Sequence, residues 1–330
     1  MARLEEDSRK SNIIRLIVLI IIAVLVLACL GIIYVKEQKA PVIDETYEPY
    51  EEEANLVRYD GKWYKQNPDL TTLLLIGVDN IKTEDESVSK QSDFLLVVAI
   101  NNKNRSYEAL QINRDTLADV PQLDIYGDEF GSEVQQIALA YTHGDTDLIN
   151  CRNTAKAVSN LLYGVEIKDY IGVTMDAVPI VNDLVGGVPV YVEDDFSGSD
   201  PSIRQGETIT LMGDQALHFV RARGSMQEPT NIARMERQRV YMNSLHEKAI
   251  AKAKEDSNFI TDSLLKINSY ITSNCTVSEM ANLFDIALNQ ESSEIMTIKG
   301  EAVMGDEYME YHVDEEALQK QIIDMFFIEN

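Results

Sequence analysis

Two uninterrupted apolar runs set the tightest limit on how this chain can fold. Thr72-Leu73-Leu74-Leu75-Ile76-Gly77-Val78 and Phe94-Leu95-Leu96-Val97-Val98-Ala99-Ile100 are each of strand length and show no polar alternation. A strand that alternates apolar and polar side chains can leave one face in water, whereas runs like these must be covered on both faces. The expectation is a central sheet with helices on each side, that is, a three-layer α/β/α sandwich around a mixed sheet. About 260 residues from Leu70 onward are enough to bury one large core.

The remaining elements follow from shorter signals. Tyr107 to Ile112 reads as a third strand and Val188 to Val192 as a fourth, with Pro189 marking an edge or an early strand position. Phe219 to Arg223 reads as a fifth. Asp147 to Tyr163 carries Leu148, Ala155, Val158 and Leu162 on one helical stripe, with Thr146 as N-cap and Gly164 as a stop. Asn231 to Lys254 places Met235, Met242, Leu245 and Ala249 on one face, and Asp314 to Phe327 closes the chain as another amphipathic helix.

Leu16 to Val35 is a run of 20 residues without a charge. As a helix it spans roughly 30 Å, the thickness of a bilayer's hydrocarbon core. Arg3, Arg9, Lys10 and Arg15 precede it, which places residues 1–15 in the cytoplasm by the positive-inside rule. A cleaved signal peptide is the competing reading, but the run is long for one and ends without a small-residue cleavage pattern. Val26-Leu27-Ala28-Cys29 loosely resembles a lipoprotein cleavage box, yet apolar residues continue through Cys29 to Val35. Residues 16–35 are therefore expected to anchor the chain in the cell membrane as a single-pass signal-anchor. Residues 36–69, rich in Asp and Glu with Pro41 and Pro49, form an acidic linker, and residues 70–330 an extracellular domain. A formal net charge of −26 speaks against nucleic acid as a partner and against docking of the domain's surface on anionic lipid. Membrane lipid is expected to be met through the N-terminal helix alone. Cys151 and Cys275 are too few for a disulfide framework and leave two readings, one bridge or two unpaired thiols.

Against this acidic background, five arginines fall between Leu217 and Arg239. Arg221 and Arg223 are two apart, so in a strand they face the same side. Arg234, Arg237 and Gln238 share one face of a helix. Guanidinium groups that converge suit phosphate or pyrophosphate, which they bind through planar, bidentate hydrogen bonds. The competing reading is a set of structural salt bridges. Asp79 follows the first apolar run and Asp93 precedes the second, and carboxylates at the ends of central strands commonly line the ligand crevice of an α/β sheet. Taken singly, each aspartate also reads as a turn or cap residue. Together and near arginines, they suit Mg²⁺, which shares oxygen ligands with substrate phosphates. Arg114-Asp115-Thr116 adds a further arginine after the third strand.

The segments Gly77-Val78-Asp79, Ser92-Asp93, Arg114-Asp115-Thr116, Ala140-Tyr141, Asp183-Leu184-Val185-Gly186-Gly187-Val188, Gly213-Asp214-Gln215-Ala216-Leu217, Arg221-Ala222-Arg223 and Arg234-Met235-Glu236-Arg237-Gln238 stand in register. In order and spacing the chain resembles the LytR-CpsA-Psr family from about residue 73 to 245, leaving 246–330 as a C-terminal extension. The resemblance implies a phosphotransferase of cell wall biogenesis in a Gram-positive-type envelope. Such an enzyme moves a glycopolymer from undecaprenyl pyrophosphate onto a muramic acid hydroxyl of peptidoglycan. Matching positions imply that Asp79 and Asp93 hold Mg²⁺ and that Asp93, Arg114 and Arg221 serve catalysis. Arg114, Arg221, Arg223, Arg234 and Gln238 would bind the pyrophosphate, and an apolar groove would take the prenyl tail. Two positions depart from the family pattern: Gln91 stands where an arginine is usual and Asn231 where an aspartate is usual. They keep one alternative open, a catalytically weak lipid-pyrophosphate-binding regulator; a prenyl-pyrophosphate hydrolase stays open as well, because the acceptor groove is defined by shape and not by a motif.

Overall fold

The two apolar runs form the middle of a six-stranded sheet. The computed structural model describes residues 56–82, 88–222, 231–288 and 294–330. The sheet's strands are β1 (Leu70–Lys82), β2 (Val88–Asn101), β3 (Ser106–Ile112), β4 (Asp169–Thr174), β5 (Ile271–Ser273) and β6 (Ile295–Thr297). Their spatial order is β5-β4-β1-β2-β3-β6. β1 runs antiparallel to β2 and parallel to β4, and β6 runs parallel to β3, so the sheet is mixed. The helices described are α1 (Asp147–Leu161), α2 (Val178–Leu184), α3 (Asp214–Arg221), α4 (Asn231–Glu255), α5 (Phe259–Ile267), α6 (Val277–Leu288) and α7 (Glu315–Phe326).

Alternate residues of the apolar runs enter two different cores, as the absence of polar alternation requires. Leu74, Ile76, Leu95 and Val97 pack with Val158 of α1 and Ile322 of α7. Leu73, Leu96, Val98 and Ile100 pack on the opposite face with Leu264 of α5 and Met280 of α6. Each fully buried aliphatic side chain contributes about 1.5–3 kcal/mol of transfer free energy. A third cluster lies beside the sheet, where Phe219 and Val220 of α3 and Tyr241 of α4 meet a small hairpin of Val188–Tyr191 and Thr208–Leu211. Residues beyond 245 supply β5 and β6, the two edge strands of the sheet, and also α5 to α7.

Several sequence expectations are adjusted by the structure. The strand expected from Phe219 does not form over the described residues: Asp214–Arg221 is helical, and the buried residues Ala216, Phe219 and Val220 follow helical spacing. His218 and Arg221 fall in its last turn, where cations suit the helix dipole. Leu148 is exposed, not buried, while Thr146 caps α1 by accepting a hydrogen bond from the Ile149 amide. Cys151 and Cys275 are free thiols; burial pushes Cys151 up to about 12 and Cys275 up to about 11. The run Leu16–Val35, with residues 1–15 and most of the linker, lies outside the described residues. Among those described, no helix is long and apolar enough to cross a membrane.

Candidate active site

The long strands β1 and β2 carry the two aspartates beyond the apolar core, and a β-bulge sets their directions. Gly77 pairs with Phe94 but Val78 pairs with Ser92, so Asp93 is the extra residue of the bulge. Regular alternation with Leu95 and Val97 would turn Asp93 toward the α1 side of the sheet. The bulge re-aims it, as such irregularities do beside functional sites. The Asp93 carboxylate instead accepts from Arg234 Nη1 of α4 at 2.8 Å and pairs with Arg114 Nη1. This trio is deeply enclosed, with side-chain exposures of 1% for Asp93, 2% for Arg234 and 9% for Arg114. Ser92, shifted to the other face, donates to the Ala138 carbonyl.

Asp79 lies opposite Gln91 across the β1–β2 ladder and is held by Arg221 at the end of α3. Unlike the enclosed arginines, Arg221 is 47% exposed, so it can turn toward an incoming anion. Gln91, where the resemblance leads to the expectation of arginine, accepts from Arg114 Nη2 at 2.6 Å. Lys90 does not replace the missing cation, because it pairs with Asp147 at 2.7 Å. Arg114 Nε also faces Asp115 at 3.3 Å. Arg223 lies outside the described residues.

Helix α4 divides its polar residues between two tasks. Gln238 accepts from Gln111 Nε2 at 3.1 Å and donates to the Val220 carbonyl, which ties α4 to β3 and α3. Arg237, one residue earlier, turns away from Asp93. It donates to the Phe219 and Ala222 carbonyls and to Asp194, and so closes the C-terminal end of α3. Those carbonyls lack partners within a helix, and a guanidinium suits them in both geometry and charge. Arg239 reaches Gln111 at 3.3 Å and pairs with Glu236. Asn231 donates to Asn113 Oδ1 at 2.7 Å. Gln111, Asn113 and Asp194 were not singled out by sequence reasoning. Gln111 between Leu110 and Ile112 of an apolar strand is the one sequence signal that could have found this network, and the structure buries it to 1% exposure.

An apolar cavity of about 250 Å³ adjoins this cluster on the α4 side of the sheet. Leu75 and Gly77 of β1, Val173 of β4, Val181 of α2, Met242 of α4 and Phe284 of α6 contribute to its wall. Gln238 and Val220 also line it, one turn from Arg234 and next to Arg221 respectively. A Cβ on Gly77 would come within 2.8 Å of Phe94 Cβ, so glycine keeps the cavity wall and the bulge compatible.

The donor set suits Mg²⁺ in one arrangement. Asp79 and Asp93 offer hard carboxylate oxygens on neighbouring strands, and Mg²⁺ is usually held by one or two carboxylates completed by water and substrate phosphate. Among the described residues, no group of three or more His, Cys, Asp or Glu could form an all-protein cage. With both carboxylates engaged by arginines, the fit is to an ion that arrives with a phosphate to draw the guanidinium groups off.

The sequence matches the model of the LytR_cpsA_psr family over residues 32–325. It is 30% identical over 283 residues to the polyisoprenyl-teichoic acid–peptidoglycan teichoic acid transferase TagU of Bacillus cereus, covering 84% of each chain. The crystal structure of B. subtilis TagV superposes with a TM-score of 0.59 at 26% identity, covering 78% of this chain and 98% of that one. B. subtilis TagT shares the fold, with a TM-score of 0.58 at 20% identity over 79% of this chain and 92% of that one. The chain belongs to the LytR-CpsA-Psr family.

Proposed function

We propose that this LytR-CpsA-Psr protein is a phosphotransferase that moves a glycopolymer from a polyprenyl pyrophosphate carrier onto peptidoglycan. One observation carries the reading: an apolar cavity and a cluster of arginines and aspartates meet at Val220 and Gln238. A ligand with a long hydrocarbon tail and a doubly phosphorylated head matches both parts. TagU and TagV are named as transferases of polyisoprenyl-linked teichoic acid to peptidoglycan, which agrees with that ligand chemistry.

Phosphoryl transfer depends on charge neutralisation and in-line positioning more than on covalent help from the protein. Arg221, half-exposed, turns from Asp79 onto the pyrophosphate. Arg234 and Arg114, held by Asp93 until the ligand arrives, are drawn onto the pyrophosphate, and Gln238 stands where head and tail join. Arg223 adds a further cation to the same head. The acceptor hydroxyl attacks the phosphorus that bears the glycan and gives up its proton to water, the bridging P–O bond breaks, and polyprenyl monophosphate leaves with the electron pair. Asp79 and Asp93 would hold Mg²⁺, which neutralises phosphate charge when bound. The run Leu16–Val35 anchors the chain, with its N-terminus in the cytoplasm and the domain outside, so that the cavity stays within reach of membrane-borne substrate.

The deciding experiment incubates the purified protein with a prenyl-pyrophosphate glycan, peptidoglycan oligomers and Mg²⁺. Glycan attached to peptidoglycan supports the transferase. Release without attachment indicates a hydrolase, and binding with neither indicates a regulator; both outcomes overturn the proposal. Protease added to intact protoplasts should digest the chain beyond about Lys36, and protection of the domain would overturn the topology.

A further inference from the structure

The two ends of the described chain meet in a second, smaller sheet. Leu56–Tyr59 pairs antiparallel with Lys62–Gln66, which pairs antiparallel with Phe327–Glu329. The register sets Arg58 opposite Trp63 and places Lys65 opposite both Leu56 and Ile328. Residues opposite one another, or two apart along a strand, share a face. One face therefore carries Leu56, Arg58, Trp63, Lys65 and Ile328. The other is turned to the domain: Phe327 packs against the core, and Gln66 accepts from the Glu166 amide. Lys62, also on that second face, pairs with Glu329 at 2.7 Å.

The first face is open to solvent. Trp63 is 52% and Ile328 39% exposed, and Arg58 and Lys65 are exposed as well. Among the described residues of these three strands, it holds two cations and no carboxylate, in a chain whose formal charge is −26. The Arg58 guanidinium sits 5.8 Å from the Trp63 ring centroid, a cation–π arrangement that keeps both groups presented together.

We propose that this sheet face docks the domain on an anionic lipid bilayer. Lysine and arginine near a negatively charged leaflet each contribute on the order of 1 kcal/mol. Tryptophan favours the membrane–water interface, where its ring is half solvated. An anionic glycopolymer would be served by the cations and the Trp63 ring, whereas Leu56 and Ile328 gain from an apolar layer. Position along the chain agrees: Leu56 follows the expected span by about 20 residues, ~70 Å at full extension. This last argument rests on the anchor reading given above. The net charge of the chain speaks against lipid docking of the domain's surface as a whole, and the proposal is confined to this one patch.

The chain has one tryptophan, so its fluorescence reports Trp63 alone. The full chain is reconstituted in vesicles of phosphatidylglycerol and phosphatidylcholine, with and without brominated acyl chains. Docking predicts quenching by the bromines and a blue-shifted emission, both weakened by high salt. The double variant Arg58→Gln/Lys65→Gln should shift the docked-to-undocked ratio by roughly thirtyfold. Lys62→Gln removes the same kind of charge from the opposite face and should leave quenching unchanged. Equal quenching in wild type and double variant, or no bromine quenching with full access to acrylamide, overturns the proposal. A spectral change on adding a soluble anionic glycopolymer, without one on lipid, also overturns it. Failure of the anchor is read separately, as loss of the protein from vesicles in alkaline carbonate; lipid-dependent quenching with vesicles added to the dissolved protein would still support docking. Transfer to peptidoglycan from a water-soluble short-chain carrier should be equal in wild type and double variant, so the proposed reaction is scored independently.

Discussion

Arg221 grips Asp79 with two parallel hydrogen bonds, Nε to Oδ2 at 2.9 Å and Nη2 to Oδ1 at 2.8 Å. The pair joins the end of α3 to β1 and has one half-exposed member. The pairing at Asp93 has the same chemistry in a dry setting, with Arg234 only 2% exposed. This difference separates the two aspartates in ways that their similar sequence settings did not.

Removing the Asp93 charge breaks its buried pairs with Arg114 and Arg234, and breaking a buried pair typically costs about 3–5 kcal/mol. Asp93→Asn should therefore lower the melting temperature by roughly 10 °C. Asp79→Asn frees an arginine that can rehydrate, so its loss should stay near about 1 kcal/mol. Thermal denaturation of the two variants checks this, and equal shifts would contradict it. Both variants should lose Mg²⁺-dependent transfer.

Arg221→Lys and Arg234→Lys keep the charge but lose the planar fork. Each should weaken binding of a short-chain prenyl pyrophosphate by roughly tenfold, the equivalent of one charge-assisted hydrogen bond. Arg239→Lys gives up one long contact to Gln111 and a surface pair with Glu236, and should weaken binding by no more than about threefold. Calorimetric titration of the three variants gives the comparison. An Arg239 effect as large as the others would place the ligand elsewhere.

Filling the cavity should separate tail from head. Val181→Phe adds bulk to the wall that Gly77 and Met242 also line. It is expected to raise KM for a long-chain prenyl substrate severalfold while leaving affinity for inorganic pyrophosphate unchanged. A parallel loss of both would mean that the variant disturbs the fold, which its melting temperature would show.

Arg237 acts on the site through α3. Arg237→Ala removes hydrogen bonds to two helix-terminal carbonyls and to Asp194. Stability should fall by about 1.5–3 kcal/mol. Pyrophosphate affinity should fall too, because Arg221 loses its fixed starting point. Arg237→Lys, which can reach one carbonyl at most, should recover part of the stability and little of the affinity. Unchanged affinity in Arg237→Ala would limit the residue to a folding role.

Local periodicity was enough to write the centre of this fold into the sequence. Runs without polar alternation required strands covered on both faces, and β1 and β2 are covered on both. Helical spacing put Arg234 and Gln238 on one side of α4, where they meet β2 and β3. The motifs in register carried the family, because their order along the chain is itself one-dimensional information. Long-range contacts decided the rest. Three apolar residues at Phe219 suit a strand or a helix equally, and packing against Tyr241 and the hairpin at Val188 selected the helix. The bulge at Asp93 depends on how two strands register, which neither strand specifies alone. Arg234 and Arg237 look equivalent on a helical wheel, yet one meets a carboxylate and the other a helix end, because different elements pack against adjacent positions. The net charge was legible by counting. The face around Trp63, which has no acidic side chain among the described residues of its three strands, was not, because it exists only where the chain's first and last described strands are hydrogen-bonded to the strand between them.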